Sequence, residues 1–251
     1  MDTTIALRFD DDRAYVMLDR PDKHNGLTLQ MISDLIASAR EIARRPGVRA
    51  VVLSGNGPSF SSGLDISAAA GDPLAIARHF LPWPLRGTNS FQEACWAWRR
   101  LPVPVIAAVH GHCFGGGLQL ALAADVRFAT PDAGFSVMEA RHGLVPDMTG
   151  AVALSRLVGM DKALLLTMTA DVVDAAYAAQ IGLVTEVTAD PISEAEKLAD
   201  RIASRPPHTV AAAKRLFDRS WHSSVRRTLA FERAAQLPLL LRKAVSNRSD
   251  Q

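Results

Sequence analysis

Apolar runs separated by polar breaks divide the first third of the chain into predicted strands and helices. Thr3–Phe9 and Ala14–Leu18 flank a cluster of three aspartates, and this pattern predicts a β-hairpin. Thr28 can cap a helix, because apolar residues recur after it at helical spacing. That stripe consists of Met31, Ile32, Leu35, Ile36, Ala39 and Ile42. Val48–Leu53 then predicts a strand, followed by a polar, glycine-rich loop.

The middle of the chain predicts a poorly ordered stretch and then a buried strand. Ala68–Gly87 contains three prolines and little periodicity, so we expect an irregular insertion that forms a lid or substrate wall. Its apolar members can line a ligand pocket or form a small satellite core; they are Phe80, Leu81, Trp83 and Leu85. Val105–Val109 is β-branched and apolar throughout, which predicts a buried strand, and Leu118–Ala124 predicts a buried helix.

The second half alternates short strands with helices and then becomes wholly helical. Further strands are predicted at Asp125–Ala129, Ala133–Val137 and Val184–Val187. Helices are predicted at Phe91–Arg100, Ala151–Leu157, Lys162–Met168, Asp174–Ile181, Pro191–Ser204, Thr209–Ser220 and Arg226–Leu240. This order predicts an α/β core followed by a C-terminal helical region.

Three consecutive glycines, Gly115–Gly117, stand between the buried strand and its helix. Without Cβ atoms, they allow another molecule to approach the backbone closely. Their N–H groups lie where a helix begins, unpaired and at the positive end of its dipole. Such a junction favours a bound anion or an oxyanion formed during a reaction. The alternative is a tight turn that lets the helix pack onto the sheet.

Composition narrows the classes of function. With 28 basic and 26 acidic residues, the net charge of +2 gives no electrostatic basis for binding nucleic acid or an anionic membrane. No apolar run approaches the roughly 20 residues that span a bilayer. The first twelve residues lack a basic segment followed by an apolar one, so we expect no signal peptide and a cytoplasmic location. The two cysteines are expected to be reduced.

Two motifs together resemble those of the crotonase family, the enoyl-CoA hydratases and isomerases. Gly55–Asp65 matches the pattern G-x-G-x-x-F-x-x-G-x-D, and His110–Gly117 matches H-G-x-x-x-G-G-G. The resemblance extends from Arg20 to about Phe231. It implies an α/β fold with a crotonase-like ββα spiral core and a C-terminal helical region. Residues 1–190 would then form the core with the acyl-CoA site, and residues 191–251 a helical oligomerisation region.

The resemblance also implies an enzyme that acts on an acyl-CoA thioester and assembles as a homotrimer or a dimer of trimers. Coenzyme A would be part of the substrate, and no other cofactor is expected. The oxyanion hole would use the backbone N–H groups of Leu64 and Gly116. Coenzyme A contacts would fall on Lys23, His24, Gly26, Leu27, Ser62, Asp65 and Ile66. Gly26 replaces the usual alanine, Lys23 can equally be a solvated loop residue, and the C-terminal segment departs from the family's CoA-covering tail.

The acid/base groups decide the reaction. Hydratases of the family use two glutamates; here Gln119 occupies the first position and Glu139 the second. An amide does not titrate at neutral pH, so Gln119 can orient a ligand or water but cannot be a general base. Asp147, eight residues after Glu139, resembles the aspartate of dienoyl-CoA isomerases. The combination favours double-bond isomerisation by a proton shuttle over two-glutamate hydration.

Each of these residues also has a purely structural interpretation. Glu139 can cap a helix or pair with Arg141, and Asp147 can cap the helix that follows it. His142 is a weaker acid/base candidate, and a nucleophilic Cys113 would need a positioned base. No spacing of His, Cys and carboxylates suggests a metal site. A nicotinamide cofactor is disfavoured, because the glycine loop lacks the third glycine of the dinucleotide fingerprint.

Three other functions remain open at this point. One is hydration of an enoyl-CoA, as in fatty acid β-oxidation. Another is a different enolate reaction on the same frame, such as CoA-thioester hydrolysis or a dehalogenation with Asp147 as the nucleophile. The third is a non-catalytic scaffold that binds acyl-CoA, which the loss of the first glutamate at Gln119 keeps open.

Overall fold

The computed structural model describes residues 4–65, 72–84, 87–221 and 223–249. The chain begins with the predicted hairpin, in which β1 (Ile5–Asp10) pairs antiparallel with β2 (Arg13–Leu18). Helix α1 (Leu29–Arg44) follows, and the Thr28 side chain accepts a hydrogen bond from the N–H of Met31. The apolar stripe predicted for this helix is buried along its length.

Parallel strands form the centre of the main sheet. They are β3 (Ala50–Gly55), β4 (Val105–Val109), β6 (Val126–Ala129) and β9 (Glu186–Val187). Within the described ranges, the sheet has the order β1-β2-β3-β4-β6-β9, and every pairing after the hairpin is parallel. β3 and β4 are buried almost throughout, as expected for central strands covered on both faces.

A second, smaller sheet carries the chain toward the glycine triplet. β5 (His112–Phe114) pairs with β7 (Gly134–Ser136), which pairs with β8 (Val173–Asp174). Gly111 joins β4 to β5 at φ +54°, and a Cβ there would overlap the carbonyl oxygen of Pro58. The turn between the two sheets therefore depends on glycine at this position. β5 was missed in the sequence, because three residues are too few to show alternation.

The helices enclose both faces of the main sheet. They are α2 (Pro73–Phe80), α3 (Ser90–Arg99), α4 (Gly115–Leu122), α5 (Gly150–Leu157), α6 (Met160–Thr169), α7 (Ala175–Gln180), α8 (Pro191–Ala203), α9 (Pro207–Ser220) and α10 (Val225–Ser249). α1, α3 and α4 bury their apolar faces in the main core. α8 covers the opposite face through Ala195 and Ala199, which pack near Val52 and Ile106.

One prediction for the middle of the chain was wrong in part. The segment predicted to be an irregular insertion contains helix α2, which begins with Pro73. Proline fits the first turn of a helix, because the N–H it lacks would have no intrahelical acceptor there. Asp72 caps the helix by accepting the N–H of Ala75. The prediction for Leu85 lies outside the described residues.

The predicted α/β fold class is confirmed: an α/β core precedes a C-terminal run of helices. α9 and α10 pack against each other, and α10 contains Pro238. Across the described residues, no helix combines the length and apolar character required to cross a membrane.

Candidate active site

Two loops that are distant in sequence meet through main-chain hydrogen bonds. Leu27 donates its N–H to the carbonyl oxygen of Gly63 at 2.7 Å, and Asp65 donates to the carbonyl oxygen of Leu27 at 2.9 Å. Ser62 donates its N–H to the carbonyl oxygen of His24 at 2.8 Å. The segment after Arg20 and the segment after Ser61 therefore form one short parallel ladder, with Leu27 opposite Leu64.

This ladder sets the direction of the Leu64 amide. Successive N–H groups of an extended segment point to opposite sides. Because the N–H of Asp65 points toward Leu27, the N–H of Leu64 points away from Leu27. A Cβ on Gly116 would lie 3.6 Å from the Leu64 nitrogen, so the two backbones are adjacent. Gly63 permits this approach at φ +95°, which favours glycine.

Gly116 is the second residue of α4, so its N–H has no intrahelical acceptor. The two amides singled out in the sequence, those of Leu64 and Gly116, thus lie side by side on the wall of one cavity. That cavity has a volume of about 540 Å³. An oxygen atom bound between two such N–H groups gains negative charge at low cost, which is the requirement of an oxyanion hole.

The remaining walls of the cavity come from three segments. α2 and α3 supply an apolar side through Ile76, Phe80 and Phe91, and the rings of the two phenylalanines lie 4.9 Å apart. The segment 138–148 supplies the other side. Its members in the wall are Met138, Glu139, His142, Leu144, Val145, Asp147 and Met148. An elongated apolar ligand therefore has two carboxyl groups beside it.

Glu139 is held by Gln119. The side-chain Nε2 of Gln119 donates to Oε1 of Glu139 at 2.5 Å. Oε1 of Gln119 accepts the N–H groups of Met148 at 2.9 Å and Gly150 at 2.8 Å. Oε2 of Glu139 is buried and has no hydrogen-bond partner within the described part of the chain. One oxygen of the carboxyl is thereby fixed, and the other remains available to a ligand.

The structure differs from the sequence-based interpretations of Gln119, Glu139 and Asp147. Gln119 lies behind Glu139 rather than in the wall of the cavity, so we interpret it as a positioning residue. Arg141 donates its Nε–H to the carbonyl oxygen of Ala170, while Glu139 pairs with Gln119. Thr149 occupies the N-cap position of α5 without a capping side-chain hydrogen bond, so Asp147 is not the residue at that position.

Both carboxyl groups have a raised pKa. Burial raises the pKa of Glu139, and the charge of Asp147 adds to this, while the hydrogen bond from Gln119 opposes it. Burial likewise raises the pKa of Asp147. Since loss of solvent disfavours the charged form, both groups hold a proton to higher pH than an exposed carboxyl does. Such shifts suit groups that give and take protons near neutral pH.

The residues predicted to contact coenzyme A lie along the ladder and its surroundings. Lys23, His24 and Ser62 are exposed at its outer edge, whereas Gly26 and Leu27 are buried. Asp65 accepts a hydrogen bond from Arg20 at 2.7 Å, which ties the first loop to the second. Ile66 lies outside the described residues. The structure brings the six described positions together on one side of the amide pair.

The lesser candidates differ in their surroundings. His142 is exposed at the cavity wall. Cys113 is fully buried in β5, and burial raises the pKa of its thiol, so it is held as the unreactive thiol. Among the described residues, no group of three or more His, Cys, Asp and Glu side chains could hold a metal ion.

Sequence reasoning identified Phe80 as a possible pocket residue, and the structure places it in the cavity wall, but other apolar residues of that wall were missed. Ile76 and Phe91 belong to helices whose packing partners are distant in sequence, so no local pattern identified them. Met148 directly follows Asp147, and its proximity to a candidate acid was the one available signal. It is 2% exposed, and its Sδ would lie 2.9 Å from a Cβ on Gly116.

Fold and cavity together define an α/β protein that presents paired main-chain amides and paired carboxyl groups to one elongated ligand. The chain belongs to the enoyl-CoA hydratase/isomerase family, whose model matches residues 10–242. It is 36% identical to the mitochondrial Delta(3,5)-Delta(2,4)-dienoyl-CoA isomerase of Rattus norvegicus over 211 residues. That alignment covers 80% of this chain and 64% of the rat protein, so the chain spans less than two thirds of that relative's length.

Two further similarities cover more of each chain. The chain is 32% identical to the "Probable enoyl-CoA hydratase" of Mycobacterium bovis over 232 residues, which is 92% of this chain and 87% of the relative. It also matches the crystal structure of a Thermobifida fusca protein in complex with acetoacetyl-CoA. That match has a TM-score of 0.83 at 32% identity and covers 95% of each chain.

Proposed function

We propose that this protein isomerises double bonds in unsaturated acyl-CoA thioesters, and that 3,5-dienoyl-CoA esters are the preferred class. One observation carries the proposal: Glu139 and Asp147 line the same cavity as the Leu64 and Gly116 amides, while Gln119 lies behind Glu139. The similarity to a relative named as a dienoyl-CoA isomerase supports the same reaction.

In the proposed reaction, the thioester oxygen accepts the N–H groups of Leu64 and Gly116. Glu139, as carboxylate, removes a proton from the α-carbon C2; the C–H bond breaks, and its electron pair enters an enolate conjugated with the C3 and C5 double bonds. The two amides stabilise the negative charge that collects on the thioester oxygen. Glu139 is assigned to C2 because its Oε1 lies 3.6 Å from the position of a Cβ on Gly115, next to the amide pair.

The second proton transfer completes the isomerisation. Asp147, protonated at the start, gives its proton to C6 of this extended enolate. The thioester carbonyl re-forms, and the two double bonds now begin at C2 and C4. For a 3-enoyl-CoA the acceptor is C4. The pair begins and ends with one proton between them, so no water or redox cofactor is consumed. The raised pKa of both groups supports this shared proton.

Hydration of a 2-enoyl-CoA is the second candidate, and the similarity to a probable enoyl-CoA hydratase favours it. Its difficulty is Gln119, whose amide is engaged by Glu139, Met148 and Gly150 and cannot take a proton from water. Glu139 would then have to position water and transfer both protons alone.

Substrate panels distinguish these reactions. The purified protein is incubated in deuterated water with 3,5-dienoyl-, 3-enoyl-, 2-enoyl- and saturated acyl-CoA, and the products are resolved by mass spectrometry. We expect fastest conversion of the 3,5-dienoyl ester to its 2,4-isomer, with deuterium incorporated and no added oxygen. Faster gain of one water by the 2-enoyl ester would favour the hydratase, and release of free CoA would favour hydrolysis. Binding of an acyl-CoA without exchange of its protons for deuterium would indicate a non-catalytic scaffold.

We also propose that residues 191–251 contribute to assembly as a homotrimer or a dimer of trimers. α10 leaves Leu237, Leu240 and Leu241 more than half exposed. Exposed leucines on one helix favour contact with another protein surface. Light scattering of the purified protein is expected to give a mass of three or six chains, and a monomer would contradict this proposal.

A further inference from the structure

Met148 is the side chain nearest to the position of a Cβ on Gly116, and Cδ1 of Leu27 follows at 3.5 Å. A Cβ built on Gly116 would lie 2.9 Å from Sδ of Met148 and 3.6 Å from the backbone nitrogen of Leu64. The sulfur therefore lies over the same glycine whose amide faces the cavity, on the side that also holds the Leu64 amide. Met148 is 2% exposed and belongs to the cavity wall.

The backbone around Met148 is fixed on both sides. Its N–H and that of Gly150 both donate to Oε1 of Gln119. Between them Thr149 is held at φ +74°, a conformation that β-branched residues rarely adopt. Such strain persists only where the surroundings determine the conformation, and it concentrates at functional sites. The main chain of Met148 therefore cannot withdraw to make room for a ligand.

We propose that Met148 determines substrate specificity by filling the space beside the α-carbon of the bound thioester, so that the site accepts unbranched chains and rejects those with a methyl branch at C2. The α-carbon is bonded to the carbonyl carbon whose oxygen lies between the two amides. A substituent on the α-carbon has to occupy a position beside the amide pair, where the thioether already packs. The role presupposes the acyl-thioester site proposed above and adds the class of chain that it takes.

Methionine suits this position physically. It is unbranched and polarisable, so it fills an irregular gap closely without a polar atom that would need a hydrogen bond. The cavity wall also includes Leu144, Val145 and Phe80, which are exposed, whereas Met148 is buried. The restriction therefore applies near the thioester and leaves chain length to the outer wall.

The experiment compares a 3,5-dienoyl-CoA with its 2-methyl analogue, which retains one proton on C2 and can undergo the same reaction. Wild-type protein is expected to prefer the unbranched ester in kcat/KM. Met148→Ala should reduce that preference by about 10- to 200-fold, the usual range for accommodating one methyl or methylene group. Since Met148 is buried, Met148→Val is made in parallel as a smaller change, and folding of both variants is checked by circular dichroism.

Two control variants distinguish the loss of the Met148 side-chain volume from nonspecific effects of a substitution. Met148→Leu conserves volume and should keep the preference for the unbranched ester. Met160→Ala removes the same side chain from an exposed position of α6, at 64% exposure, and should change neither substrate's kinetics. If folded Met148→Ala and Met148→Val keep the wild-type preference for the unbranched ester, Met148 does not determine specificity, although the proposed isomerase activity is unaffected by this result. Wild-type protein that turns over neither ester overturns the proposed function, and the role of Met148 falls with it.

Discussion

Gln119 donates a hydrogen bond to Oε1 of Glu139 at 2.5 Å and thereby fixes the orientation of the buried carboxyl. The other oxygen, Oε2, is left without a partner among the described residues and belongs to a side chain in the cavity wall. A glutamine at this position has a role that a second titrating group could not fill. It orients Glu139 without competing for its proton.

Gln119→Glu tests this arrangement. The substitution replaces the donor beside Oε1 of Glu139 by an acceptor, while the N–H groups of Met148 and Gly150 remain satisfied. Two carboxyls in contact share one proton, so the pKa of the pair rises. Because Glu139 must be deprotonated to act as a base, the acid limb of the pH–rate profile should move up by about one pH unit or more. Gln30→Glu adds the same charge at an exposed position and should leave the profile unchanged. An unmoved acid limb in Gln119→Glu would contradict the coupling.

Asp147→Asn should separate the two proton transfers. Exchange of the C2 proton with deuterated water should continue, whereas formation of the 2,4-dienoyl product should fall by about 10²- to 10⁴-fold. In Glu139→Gln, both the rate of C2 proton exchange and the rate of product formation should fall by a similar factor. Exchange is followed by mass spectrometry and the product by its ultraviolet absorbance. Asp161→Asn is a matched control, because its carboxyl is 80% exposed on α6. Equal loss of exchange in the Asp147 and Glu139 variants would refute the division of roles.

Two adjacent glycines of α4 should respond differently to alanine. In Gly116→Ala the new Cβ meets Sδ of Met148 at 2.9 Å, a side-chain contact that strains the fold less than a contact with backbone would. The protein should fold, and kcat should fall by about 10²- to 10³-fold as the thioester is displaced from the amides. In Gly117→Ala the Cβ meets Cβ of Ser61 at 2.5 Å and its carbonyl oxygen at 2.9 Å.

That second contact involves backbone, so Gly117→Ala should lower the thermal midpoint markedly, as overpacking in a core does. Thermal unfolding and steady-state kinetics of the two variants give the comparison. If Gly116→Ala retained full activity, the Gly116 amide could not be part of the oxyanion hole.

Glu139→Gln should also make the protein more stable at neutral pH. The folded state raises the pKa of Glu139, so it binds the proton more tightly than the unfolded chain does. The stabilising effect of the protonated carboxyl is present below the unfolded pKa of about 4.3 and is lost as pH rises through the raised folded value. Glutamine mimics the protonated form, so its advantage should grow from pH 4 to neutral pH. The gain should be about 1.4 kcal/mol for each pH unit that separates the folded pKa from the unfolded one. Urea unfolding across this range measures it, and a constant difference would contradict a raised pKa.

The fold was largely predictable because its signals are local. The helix after Thr28, the buried strand before the glycine triplet and the turn at the three aspartates each follow from spacing or capping within a few residues. Helix α2 was not predicted, because Pro73 was taken as a break although it begins the helix. β5 owes its existence to pairing with β7, about twenty residues further along the chain, and no local pattern reports such pairing.

The candidate site was predictable only in part. The glycine motifs identified the loops of Leu64 and Gly116, since close backbone approach leaves a mark in the sequence. The position of Gln119 behind Glu139 left no such mark, because it depends on how α4 meets the turn before α5. Met148 likewise acquires its place only when the loop at 138–148 folds over the glycines.

The short ladder that joins Leu27 to Leu64 positions the part of the site that binds the carbonyl, whereas a different segment carries the acid/base groups. Leu64 and Gly116, which face the thioester in the proposed reaction, are set by backbone pairing and by the closeness of Gly117 to Ser61. The carboxyls and Met148 stand on the segment 138–148, which Gln119 joins to α4 by hydrogen bonds. Substitutions within that segment can change the reaction catalysed or the acyl chain that is accepted, while the two amides continue to bind the thioester oxygen. New activities in such a scaffold can therefore be engineered by exchanging one loop.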